Sequence, residues 1–157
     1  MSLLQNMPLW SALIAIVFAQ IIKVPIRAIA DKRIQADLAF STGGMPSSHS
    51  AAVAALTTSI GFESGLDSPI FAASFVFSII IMFDASGVRR QAGEQAILLN
   101  LLLKDFQRFV DEAKIWGSKQ EFEKNREIRE MLGHQPIEVF FGALTGIGIS
   151  LVIYLLF

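Results

Sequence analysis

The chain has 157 residues, 53% hydrophobic and 17% charged, with a net charge of −1, two histidines and no cysteine; its mean hydropathy is +0.53. A soluble domain carries about a quarter of its residues as Asp, Glu, Lys and Arg, so this composition argues against a soluble core, and equally against disorder, collagen or a coiled coil. No basic field points to nucleic acid, and the lack of Cys removes disulfides, thiolate metal sites and cysteine nucleophiles.

What remains is an all-α, integral-membrane helical bundle of about four spans, each needing about 20 predominantly apolar residues, with a cytoplasmic helical insertion. We read it as a single membrane domain over 1–157. The first span, about 3–22, lies in a stretch with no charged side chain. A cleaved signal peptide is the rival reading, but the stretch has neither a basic leading region nor a small-residue cleavage pattern. The second, about 47–62, falls in a run from Leu38 to Phe62 without Asp, Glu, Lys or Arg and rich in Ala, Ser, Thr and Gly. Small residues let helix backbones approach closely, so this is read as a span buried among the others, with a re-entrant segment as the alternative. The third span is about 68–84.

A cytoplasmic segment follows over about 90–132. Within it, 94–116 repeats apolar positions at helical spacing (Leu98, Leu102, Phe106, Phe109, Ala113, Trp116) between charged residues, an amphipathic helix either on the membrane surface or under the bundle. Residues 119–132 form a charge-dense helix read as a solvated face with local pairs such as Glu123 with Arg126. The fourth span, about 137–157, carries Gly142, Gly146 and Gly148, a small-residue face expected to pack a homodimer.

All 13 Lys and Arg residues fall between Lys23 and Arg33 or between Arg89 and Arg129. Basic loops mark the cytoplasmic side. Four spans then place both termini outside a cell membrane and 23–48 and 84–138 inside.

The two histidines open the second and fourth spans: His49 ends GGMPSSH (43–49), and His134 stands in GHQPIE (133–138). Both sit at the N-terminal ends of helices running outward from the cytoplasm. A helix N-terminus presents unpaired N–H groups and partial positive charge, which bind phosphate. Ser47 or Ser48 is a suitable N-cap, Gly43 and Gly44 let the backbone curl around a ligand, and Pro136 fits a first helical turn. Capping alone explains the Ser and Pro residues; it does not explain an imidazole at each start. Gln20, Lys23 and Arg27 share one face of the first helix at the same level, and Arg89 and Arg90 follow the third span. Snorkelling and topology marking are the plainer readings of these cations. Glu138, four residues after His134, can sit beside the ring, fix its tautomer and leave the other nitrogen free to attack. For Asp84 a salt bridge to Arg89 or Arg90 is expected.

These residues resemble the type 2 phosphatidic acid phosphatase and vanadium haloperoxidase superfamily, in its short divergent branch. PSSH at 46–49 is similar to the PSGH motif with one Gly-to-Ser change. His134 and Glu138 are similar to the histidine and following acid of the last motif, with Glu for Asp. Lys23 with Arg27 looks like a shortened first motif, and the last motif's Arg is open between Arg129 and the upstream Arg89 and Arg90. The resemblance implies hydrolysis of a phosphate ester or anhydride through phosphohistidine. His134 would attack phosphorus, Glu138 would orient it, and His49 would protonate the leaving oxygen and then activate water. Lys23, Arg27, Ser47, Ser48, Arg89 and Arg90 would hold the phosphate oxygens, with no metal and no cofactor.

A phosphate site at headgroup level favours an amphiphile, so the expected substrate is a lipid phosphate or diphosphate, an isoprenoid one included, and the expected partners are membrane lipids rather than nucleic acid. The competing classes are a non-catalytic lipid-phosphate-binding or flippase-like protein and a structural membrane partner.

Overall fold

The computed structural model describes residues 5–31, 43–114 and 133–156. Among the described residues the chain forms five helices and no strand: α1 (Met7–Asp31), α2 (Ser48–Ser64), α3 (Pro69–Ser86), α4 (Val88–Lys114) and α5 (Pro136–Leu156). Their starts follow from local chemistry. Asn6 Oδ1 accepts the Leu9 N–H at 3.1 Å, and Ser47 Oγ accepts the Ser50 N–H at 3.3 Å. Ser68 Oγ accepts the Phe71 N–H at 3.2 Å, just ahead of Pro69 in the first turn of α3. Side-chain oxygens of this kind satisfy the donors that a helix start leaves unpaired.

Among the described residues, three segments are long and apolar enough to cross a membrane: Met7–Ile29, Pro69–Asp111 and Pro136–Leu156. They overlap the stretches read as spans at about 3–22, 68–84 and 137–157. Helix α2 stands where the second span was expected. At 17 residues it is about 26 Å long, and it packs against α1, α3 and α5. The helix expected over 94–116 begins earlier, at Val88, directly after the Gly87 that ends α3. The charge-dense stretch 119–132, Arg129 included, lies outside the described residues.

Small residues build the interior. Ala15 and Ala19 of α1 meet Ala51 and Ala55 of α2, with Ile149 of α5 against them. Large apolar side chains point outward instead, Phe77 being 64% exposed and Ile21 62%. Such a surface suits lipid, whereas water would not tolerate it. Hydroxyls bond across the helices: Thr57 to Ser78 at 2.7 Å, Ser59 to Ser150 at 2.8 Å, and Tyr154 Oη donating to the Ser59 carbonyl at 3.3 Å.

The glycines of α5 overturn one expectation. A Cβ on Gly146 would overlap the Ala51 carbonyl oxygen, and one on Gly142 would stand 2.9 Å from Ser50 Cβ. Both glycines are therefore used inside the chain, where they let α5 approach α2, and they are not a face for a second copy. Only Gly148 of the three has open space where its side chain would be.

Candidate active site

Helices α2 and α5 begin side by side, and that juxtaposition makes the site. The Ser47 N–H donates to the Glu138 carbonyl at 3.0 Å, which ties the two helix starts together. The His134 N–H donates to the Ala85 carbonyl at 2.9 Å, which fastens the segment before α5 to the end of α3. Gly133 makes this second tie feasible. Its φ of +96° lies in the left-handed region, and a Cβ there would overlap the backbone N and Cα of Arg90. Only glycine satisfies both conditions.

His134 is 2% exposed. Its Nδ1 lies 3.0 Å from Glu138 Oε2, and the same oxygen accepts the Gln135 N–H at 3.1 Å. One carboxylate oxygen thus caps the start of α5 and holds the ring, half of a capping box turned to a second use. The His49 ring centroid is 6.0 Å from that of His134, with the planes at 63°. Two imidazole atoms, His134 Nε2 and His49 Nδ1, are buried without a hydrogen-bond partner among the described residues. Buried polar atoms normally have one, so two neighbouring exceptions mark this point as built for something other than packing.

The cations take different positions around the rings. Lys23, 3% exposed, donates to Gln20 Oε1 at 2.6 Å, and lies within electrostatic reach of Glu138 and His49. A pocket of about 350 Å³ opens beside His134, and Arg27, Arg90, Gly43, Gly44, Gly133 and Glu138 are on its wall. Gly44, with φ +89°, shapes that wall as its sequence context suggests. Arg90 Nε is 3.0 Å from Glu94 Oε1, itself on the wall. Arg89 turns elsewhere: its Nε is 2.7 Å from Asp84 Oδ2, the salt bridge expected for that aspartate, and it acts electrostatically on His49 without lining the pocket. Ser47 and Ser48 are buried at the start of α2 and are not on the wall.

His134 is therefore common to two neighbourhoods, the pocket with Arg27 and Arg90, and the buried cluster with His49 and Lys23. No three His, Asp or Glu side chains gather as metal ligands among the described residues.

Sequence reasoning missed Glu94 and the roles of Gly133 and the Ala85 carbonyl. The spacing of Glu94 four residues after Arg90 was a usable signal. Nothing local announces that a carbonyl from α3 will meet the His134 N–H.

A sequence profile described as the divergent PAP2 family matches residues 4–149. The chain is also 59% identical over 153 residues to an uncharacterised membrane protein, YuiD, of Bacillus subtilis (strain 168), covering 98% of this chain and 97% of the relative. No solved structure matches it.

Proposed function

The chain belongs to the divergent PAP2 family, and from that premise we propose that it is a multi-pass membrane phosphatase hydrolysing a lipid phosphate or diphosphate through a phosphohistidine on His134. One observation carries the reading: a buried imidazole whose Nδ1 is held by a carboxylate, whose Nε2 has no partner among the described residues, and whose neighbour at 6.0 Å is a second imidazole. A nucleophile must come within about 3–3.5 Å of its target, and a proton donor within about 3 Å of the leaving oxygen. Rings at this separation can meet both conditions on one phosphate.

In the first step the Nε2 lone pair of His134 forms a bond to phosphorus while the bond from phosphorus to the leaving oxygen breaks. His49 gives its proton to that oxygen. In the second, water attacks phosphorus, His49 takes the water's proton, and the P–N bond breaks to restore Nε2. Glu138 keeps the Nδ1 proton in place and offsets positive charge on the ring throughout. Arg27, Arg90 and Lys23 compensate charge on the phosphate oxygens, the main requirement of phosphoryl transfer. The site is read as lying at the cytoplasmic headgroup level, a reading supported by the basic residues on either side of it, and an amphiphile is the substrate that a site at this depth suits.

A non-catalytic lipid-phosphate-binding protein is the second reading, favoured by the fact that Arg89 and Arg90 are each already paired with a carboxylate. Purified protein assayed for phosphate release from a panel of lipid phosphates separates the two. The enzyme reading expects turnover that is lost in His134→Gln and His49→Gln. Turnover that both variants retain would refute the mechanism, and binding of vanadate without any turnover would favour the second reading.

A further inference from the structure

Helix α4 is 27 residues long and continues almost without a break from α3 through Gly87, whose N–H donates to the Phe83 carbonyl at 2.8 Å and whose carbonyl accepts from Gln91 at 3.0 Å. The helical stretch Pro69–Asp111 would measure about 65 Å if straight, twice the thickness of a hydrocarbon core. Helix α3 alone, 18 residues and about 27 Å, already uses that thickness. So α4 starts at a membrane boundary. Its longest charge-free stretch, 95–103, is too short to cross again.

The faces of α4 are distinct. Gly93, Ala96 and Asn100 are buried on one side. Leu98, Leu102, Phe106 and Phe109, spaced four, four and three apart, point the other way and are 61%, 66%, 59% and 68% exposed. At about 100° per residue Lys104, Arg108 and Asp111 lie on the side away from this stripe and Asp105 at its edge, all four exposed, with Leu101 exposed among them. The first turns of this helix also supply Arg90, Gly93 and Glu94 to the pocket wall.

We propose that α4 is an interfacial helix lying in the headgroup layer of the lipid leaflet at which α3 ends, with Leu98, Leu102, Phe106 and Phe109 sunk into the acyl boundary and one end of the helix forming the pocket wall. A lipid surface, rather than another protein, is the occupant. The helix that carries the stripe continues directly from α3, Lys104, Arg108 and Asp111 face away from the stripe, and side chains of this size at this spacing match what an in-plane amphipathic helix buries. The pocket then opens at the depth where phosphate headgroups sit. The proposal concerns where α4 lies and stands whether or not the site turns over substrate.

The chain has no native cysteine, so single replacements report cleanly. Leu102→Cys, Phe106→Cys and Phe109→Cys, with Lys104→Cys, Arg108→Cys and Asp111→Cys as the opposite face, are made in the full chain and reconstituted into phosphatidylcholine–phosphatidylglycerol vesicles. Modification by a membrane-impermeant maleimide is expected to be about tenfold or more slower on the apolar stripe than on the opposite face, as burial in the acyl boundary requires. A fluorophore placed on the stripe by a permeant reagent is expected to be quenched by lipids spin-labelled on the acyl chain. Equal modification rates on both faces would overturn the proposal. So would a stripe that is protected yet not quenched, because protein and not lipid would then be covering it.

Discussion

Replacing Glu138 by Gln tests whether the carboxylate positions the nucleophile or only begins a helix. Glu138 Oε2 accepts from the Gln135 N–H at 3.1 Å and lies 3.0 Å from His134 Nδ1, and the side chains of Glu138 and His134 are 15% and 1% exposed. A glutamine oxygen can still accept one of these hydrogens, so the helix start survives. A neutral hydrogen bond contributes about 0.5–1.5 kcal/mol and one to a charged group about 1.5–3. The folded state therefore loses about 1 kcal/mol. In the proposed reaction the ring would become cationic as phosphorus bonds to Nε2, and there the full charge-assisted interaction would be lost. At about 1.4 kcal/mol per factor of ten, a loss of about 1.5–3 kcal/mol lowers kcat about 10- to 150-fold. Phosphate release from a lipid phosphate gives the rate, and thermal unfolding in detergent gives the stability. A variant that unfolds earlier yet turns over at the original rate would show that Glu138 serves the fold alone, and would refute the reasoning.

The remaining expectations follow from single contacts. Gly133→Ala places a Cβ on the Arg90 backbone at a φ of +96°, and is expected to cost about 1–3 kcal/mol in backbone strain, read as an earlier unfolding transition together with lost turnover. Gly146→Leu collides with the Ala51 carbonyl and should separate α5 from α2, whereas Gly148→Leu, with nothing within 4 Å, should shift stability by less than about 0.5 kcal/mol. Equal unfolding temperatures for the two variants would contradict the packing described. Arg90→Ala removes a cation from the pocket wall and should weaken vanadate binding more than Arg89→Ala, whose guanidinium is held by Asp84 away from that wall; titration calorimetry measures both.

The parts of the site legible in the sequence were those fixed by short-range geometry. His134 and Glu138 are one helical turn apart, so their contact follows from spacing. The meeting of His49 with His134 follows from each opening a helix of the same direction, which puts both at one end of the bundle. The Asp84 bridge follows from proximity along the chain. Other features depend on tertiary approach. Arg89 and Arg90 are adjacent on a helix and point about 100° apart, so only one can face the pocket, and composition does not tell which. The glycines of α5 have the spacing of a packing face, but spacing does not say whether the partner helix comes from the same chain; Ala51 and Ser50 of α2 decide it. The break at Gly87 joins α4 to α3 more closely than the hydrophobic pattern suggests, because Arg89, Arg90 and Glu94 interrupt the apolar periodicity without interrupting the backbone hydrogen bonds.

The most direct test of the central claim is to find where the phosphoryl group resides between the two steps. Protein turning over a lipid phosphate labelled on phosphorus is quenched rapidly in alkali, and the label is mapped. The account predicts an acid-labile, alkali-stable phosphoryl group on His134, absent from His134→Gln. A label on any other residue, or sustained turnover with no protein-bound phosphoryl group at any quench time, would contradict it.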